Sequence, residues 1–131
     1  MKGLVVACTI PNVSYNRRVV QSITPQQAQA LISQGQLDIV DVREPKEWLN
    51  GYVAGSRLVP LGQLRQSPKA ALQRDGVIFI CAAGMRSQVA AKLALANGLT
   101  NVYNLTGGTQ SWVKAGLPLV RDASVPREAS A

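Results

Sequence analysis

Histidine is absent from the chain. Without an imidazole there can be no Ser/His/Asp triad, no papain-like Cys/His pair and no histidine metal ligand, so any nucleophile must be activated by something other than a neighbouring base. Cysteine is nearly as scarce. The 2 thiols, Cys8 and Cys81, could close one disulfide but cannot build a disulfide framework or, lacking histidine, a zinc site, so no metal is expected. Aromatic residues make up 5% of the chain and the cations are scattered, with only Arg17 and Arg18 adjacent, which argues against a nucleic-acid interface. No apolar run approaches the ~20 residues of a membrane span. The opening MKGLVVACTI has one lysine and an apolar stretch too short for a secretory signal, and no convincing cleavage pattern follows it, so the expected compartment is the cytoplasm. Acid is also short: 14 Lys and Arg against 7 Asp and Glu leave a net charge of +7, which favours small anions as partners.

What is present suffices for one domain. A length of 131 residues is right for a single core, and 11 Gly with 7 Pro fall short of a low-complexity composition. The domain is expected over residues 19–121, after an irregular or strand-like extension at 1–18 and before a polar, mobile tail at 122–131. A β-rich segment, Arg18 to Ile23, runs into Thr24-Pro25-Gln26-Gln27, where Thr24 caps a helix, Pro25 suits its first position and Gln27 completes a capping box. Ala28, Leu31 and Ile32 form that helix's apolar stripe, and Gly35 ends it.

Leu37 to Val42 is an almost continuous apolar run, as expected of a strand covered on both faces. A short helix is expected at Pro45 to Leu49, a strand at Ser56 to Val59, and a helix from Leu61 to Leu72 broken in two by Ser67-Pro68. Gly76 to Ile80 reads as a buried strand, Ser87 to Asn97 as a helix, Asn101 to Leu105 as a last strand and Thr109 to Ala115 as a last helix. Strands alternating with helices at this spacing make an α/β domain with a mostly parallel sheet. Sites in such sheets lie beyond the carboxyl ends of the strands, after Val42, Ile80 and Leu105.

Cys81 occupies such a position. After it, Ala82, Ala83, Gly84, Met85 and Arg86 lead into a helix that opens near Ser87, and a tight loop at a helix N-terminus turns several N–H groups inward. A thiolate there would be stabilised without any base, with a pKa below the free value of about 8.5. Gly84 permits a positive φ, Ala82 and Ala83 leave the mouth open, and Arg86 adds a fixed cation. Position alone is equally compatible with Cys81 being a small buried hydrophobe.

Four segments in order break that tie: ITPQQAQALI from Ile23, DIVDVREPKEWLNGYVAGSRLVPLGQL from Asp38, the loop CAAGMRS from Cys81, and NVYNLTGGTQSWVKAGLPLV from Asn101. Together they resemble the rhodanese family across Ile23 to Val120. The resemblance implies a three-layer rhodanese fold, a five-stranded parallel sheet of order 1-5-4-2-3 with helices on both faces. It also implies sulfurtransferase chemistry. Cys81 would take a sulfane sulfur from thiosulfate, a polysulfide or a persulfide, and pass it to a thiol or cyanide, with Ala82 to Ser87 binding the substrate and no cofactor. A monomer serving a small anionic donor and a thiol or protein acceptor is expected.

This chain departs from the family at Gly51-Tyr52-Val53, where many members have Gly-His-Ile, and at Ala82 and Ala83, where the best thiosulfate users carry cations. A polysulfide or protein persulfide is therefore as well supported a donor as thiosulfate. Asp41 and Arg43 could brace the catalytic loop; the more economical expectation is that Asp41 fixes its own turn while Arg43 pairs with Glu47. Gly107-Gly108 reads as a strand-to-helix turn, Trp48 and Trp112 as core anchors, and Cys8 as an inert thiol. Competing readings are a non-catalytic sulfur carrier or partner-binding module, and a cysteine phosphatase or arsenate reductase. The phosphatase branch resembles C-x5-R, whereas 4 residues separate Cys81 from Arg86, too few for a phosphoryl cradle.

Overall fold

A computed structural model describes residues 19–121. The extension at 1–18, with Cys8, and the tail at 122–131 lie outside the described residues. The elements run β1 (Gln21–Ile23), α1 (Pro25–Ser33), β2 (Asp38–Asp41), α2 (Pro45–Trp48), β3 (Arg57–Leu58), α3 (Leu61–Gln66), α4 (Pro68–Ala71), β4 (Val77–Ile80), α5 (Met85–Ala96), β5 (Val102–Leu105) and α6 (Gly108–Lys114). All pairings within the sheet are parallel, and its 5 strands lie in the order β1-β5-β4-β2-β3, as the family resemblance implied.

The sheet's two faces explain the nearly unbroken apolar strands. Along β4, Val77 and Phe79 face α3, α4 and α5 with Leu64, Ala90, Ala91 and Ala94, whereas Ile78 and Ile80 face α1 and α6 with Ala28, Leu31 and Trp112. Every β4 residue is fully buried, so alternation in polarity has no place there. Alanines on α5 let its backbone approach the sheet closely. Both tryptophans are buried as anchors: Trp48 stacks on Tyr52 with ring centroids 3.9 Å apart, and the Trp112 indole N–H donates to the Pro118 carbonyl at 2.8 Å.

The helix boundaries differ most from expectation at α5. It begins at Met85, two residues before Ser87, because Gly84 adopts φ 99° as its N-cap and turns the chain into the helix at once. Arg86 therefore belongs to the helix's first turn. The expected strand at Ser56 to Val59 shortens to Arg57–Leu58, the length over which it pairs with β2.

At the start of α1 the capping box is present. The Gln27 N–H donates to the Thr24 hydroxyl at 3.1 Å, and the Thr24 N–H donates to the Gln27 side-chain carbonyl at 2.9 Å. Thr24→Ala is expected to cost about 1 kcal/mol, the usual worth of such a cap, read as a lower urea midpoint at constant slope. Phe79→Ala should cost about 3–5 kcal/mol by leaving a cavity under α5. Equal midpoints for the two variants would refute this ranking.

Candidate functional site

Cys81 follows β4 directly and is 1% exposed. Its sulfur accepts from the Gly84 N–H at 3.0 Å, and the Ser87 hydroxyl stands 3.3 Å away. Burial pushes the Cys81 thiol up, but the Ser87 hydroxyl and the N–H groups of Ser87, Gly84 and Ala83 pull it down by more. The net result is a thiol below its ordinary value, reached without a basic neighbour.

The loop is held from behind by α6. Thr109 N–H donates to the Cys81 carbonyl at 2.8 Å and Gln110 N–H to the Ala82 carbonyl at 3.0 Å. With the Ala82 carbonyl drawn backwards, the Ala83 N–H of the same peptide is turned to the other side, and it is one of the donors that lower the thiol. Gly108 makes this approach possible, since a Cβ there would collide with the Cys81 carbonyl oxygen. The Gly107-Gly108 turn is thus where α6 meets the loop, a role that no local pattern could reveal.

Asn104, on β5, was not among the expected site residues. It is buried, its amide donates to the Gly84 carbonyl at 3.3 Å and to Gln88 at 2.9 Å, and its oxygen accepts from the Ser87 hydroxyl at 2.5 Å. A polar residue within a fully buried strand was the available signal, because buried polar groups need partners.

The charged residues correct one expectation and add a partner to another. Arg43 does not pair with the Glu47 carboxylate. Its guanidinium grips Asp41 at 2.9 and 3.0 Å, and donates to the Gly51 carbonyl at 2.8 Å and weakly to the Glu47 carbonyl at 3.4 Å. The i,i+4 argument fails because Arg43 precedes α2 and the intervening Glu44 is extended, with φ −82° and ψ 156°. Asp41 does fix its own turn, accepting from the Arg43 N–H at 3.0 Å. This buried pair braces the end of β2 and the Gly51 turn.

Arg86 is a fixed cation within electrostatic reach of the thiol, and it is also paired. Its two terminal nitrogens donate to the Glu47 carboxylate at 2.8 and 2.9 Å, and Glu47 also accepts from the Glu44 N–H at 2.8 Å. The Arg86 guanidinium, against the opposing effect of burial, holds Glu47 down to about 2. Arg86 is raised first by Glu47 and, to a lesser degree, by Cys81. The remaining loop residues line the mouth: Ala82 is half-buried, Ala83 exposed and Met85 77% exposed.

Comparison with known proteins places this geometry. The family description Rhodanese-like domain matches residues 24–115. The chain is 37% identical over 90 residues to a thiosulfate sulfurtransferase GlpE from Stutzerimonas stutzeri, covering 69% of this chain and 82% of that protein. A rhodanese-related protein from Thermoplasma volcanium superposes with TM-score 0.69 and 36% identity, over 77% of this chain and 98% of the other. A protein of unknown function from Rhodopseudomonas palustris, described as a possible tyrosine phosphatase, has the same TM-score of 0.69 at 37% identity, over 77% of this chain and 85% of its own.

Ser87→Ala removes one of the donors that lower the thiol and should raise the Cys81 pKa, read from thiolate absorbance against pH. Gly108→Ala should raise it too, by pushing α6 off the loop carbonyls. An unchanged titration in both variants would mean that neither contact acts on the sulfur.

Proposed function

The chain belongs to the rhodanese-like domain family, and from that premise we propose that it is a sulfurtransferase working through a Cys81 persulfide. The thiolate attacks the outer sulfur of thiosulfate, a polysulfide or a persulfide. A sulfur–sulfur bond forms to Cys81 while the donor's own bond breaks, and sulfite or a thiolate departs with the electron pair. A thiolate or cyanide then attacks the outer sulfur of the persulfide, which leaves with it and restores the Cys81 thiolate. This is double displacement with a covalent intermediate. It needs no metal or organic cofactor, and a reducing cytoplasm suits a lone thiolate.

The observation that carries the proposal is the seat of the Cys81 sulfur, which the Gly84 N–H contacts at 3.0 Å and the Ser87 hydroxyl at 3.3 Å. A persulfide's terminal sulfur is an anion, and the same inward-facing donors suit it. The relatives called thiosulfate sulfurtransferase support the same chemistry.

The R. palustris neighbour raises phosphate-ester hydrolysis as the second reading. Two observations weigh against it here. The loop has 4 residues between cysteine and arginine, and the Arg86 guanidinium that would hold a phosphoryl group is bound to Glu47.

Incubation with thiosulfate or polysulfide should add the mass of one sulfur atom, mapped to Cys81 and removable by cyanide. Cys81→Ser should take up none, and aryl phosphates should not be hydrolysed. Sulfur appearing elsewhere, or none appearing at all, would contradict the proposal, as would efficient release of phosphate.

A further inference from the structure

Among the described residues, the two arginines at the site are each matched by a carboxylate. Arg43 is closed on Asp41 at 2.9 Å with side-chain exposures of 5% and 0%, and Arg86 is closed on Glu47 at 2.8 Å. Glu47 stays ionised throughout the neutral range, since its carboxyl is held at about 2. Its position is fixed independently of Arg86 by the Glu44 N–H at 2.8 Å. The side chains at the mouth, Ala82, Ala83 and Met85, carry no charge, and Met85 is 77% exposed. The attraction left for an anionic donor comes from the loop's N–H groups, and these already serve the thiolate.

Resting on the sulfurtransferase reading, we propose that Glu47 is a specificity-determining residue that neutralises Arg86 and so directs the site to organic persulfides rather than thiosulfate. Thiosulfate is a dianion whose leaving group, sulfite, is also a dianion. Bringing it against a thiolate concentrates like charge where both arginines of the site are already paired. An organic persulfide has a single ionisable reacting end, neutral when protonated, and need bring no further charge to a mouth formed by the alanines and Met85. In its reaction the Cys81 thiolate attacks the outer sulfur of the protonated R–S–SH, the inner sulfur departs as R–S⁻ with the electron pair of the broken S–S bond, and Cys81 carries away the outer sulfur and its hydrogen as Cys–S–SH. The total charge is unchanged, and neither an oxidant nor a reductant is needed.

The test compares rates of Cys81 loading by thiosulfate and by the persulfide of β-mercaptoethanol, followed by intact mass, in the wild type, Glu47→Gln and Glu44→Gln. Glu47→Gln keeps the shape but frees the Arg86 charge, so thiosulfate loading should rise roughly tenfold, the low end of charge-focusing effects, while persulfide loading changes by less than about twofold. Glu44→Gln removes the same charge from the neighbouring N-cap and leaves the Arg86 pair intact, so the donor ratio should hold. Glu47→Ala should follow Glu47→Gln if charge is the cause.

A donor ratio unchanged by Glu47→Gln, or both donors slowed together, would overturn the proposal by showing that Glu47 only positions Arg86. A change of equal size in Glu44→Gln would overturn it too, since any negative charge on α2 would then serve. If neither donor loads a wild-type Cys81 that still reacts with an alkylating agent, the sulfurtransferase reading itself fails and the donor proposal falls with it.

Discussion

Two hydrogen bonds from the first turn of α6, to the carbonyls of Cys81 and Ala82, decide which way the loop's peptide planes face. A peptide unit has one N–H and one C=O on opposite sides, so securing the carbonyl at the back commits the N–H to the front. That orientation sets the Ala83 N–H toward the thiol and fixes the start of the loop from which the Gly84 and Ser87 donors follow. The glycines at 107 and 108 are the geometric condition for it. Family likeness in the loop would mean little without α6 arriving at this distance.

Much of this was legible in the chain because it is local. A buried strand, a cysteine, two alanines and a glycine followed by a helical stripe define Cys81's setting within a dozen or so residues of sequence. The strand order came from the family resemblance, since periodicity says which segments are strands and not which are neighbours. The Glu47–Arg86 pair spans 39 positions and the Asn104–Ser87 contact 17, so no spacing rule could reach either. Arg43 was misassigned for a different reason. The helical neighbour rule does not hold across an extended residue, and Asp41, two positions away in β2, offers a bidentate carboxylate instead.

The charge distribution separates two scales. The chain carries +7 overall, which favours anions in general, whereas the residues around the sulfur pair off one to one. Beyond about 8 Å salt screens the long-range field, so net charge governs encounter and local pairing governs the reacting geometry. A composition-level argument for anionic partners therefore does not specify which anion reacts.

The Ser87 hydroxyl has a single hydrogen, yet two acceptors lie within its reach, the Asn104 oxygen at 2.5 Å and the Cys81 sulfur at 3.3 Å. With sulfur protonated both can be served: the thiol gives its hydrogen to the Ser87 oxygen, and Ser87 gives its own to Asn104. Once the sulfur ionises the chain of donors is one hydrogen short, and serving the thiolate leaves two oxygens facing each other with nothing between them. The same Asn104 side chain also holds the Gly84 carbonyl through its amide. The sulfur on β4's end and the amide on β5 therefore draw on the same hydrogen.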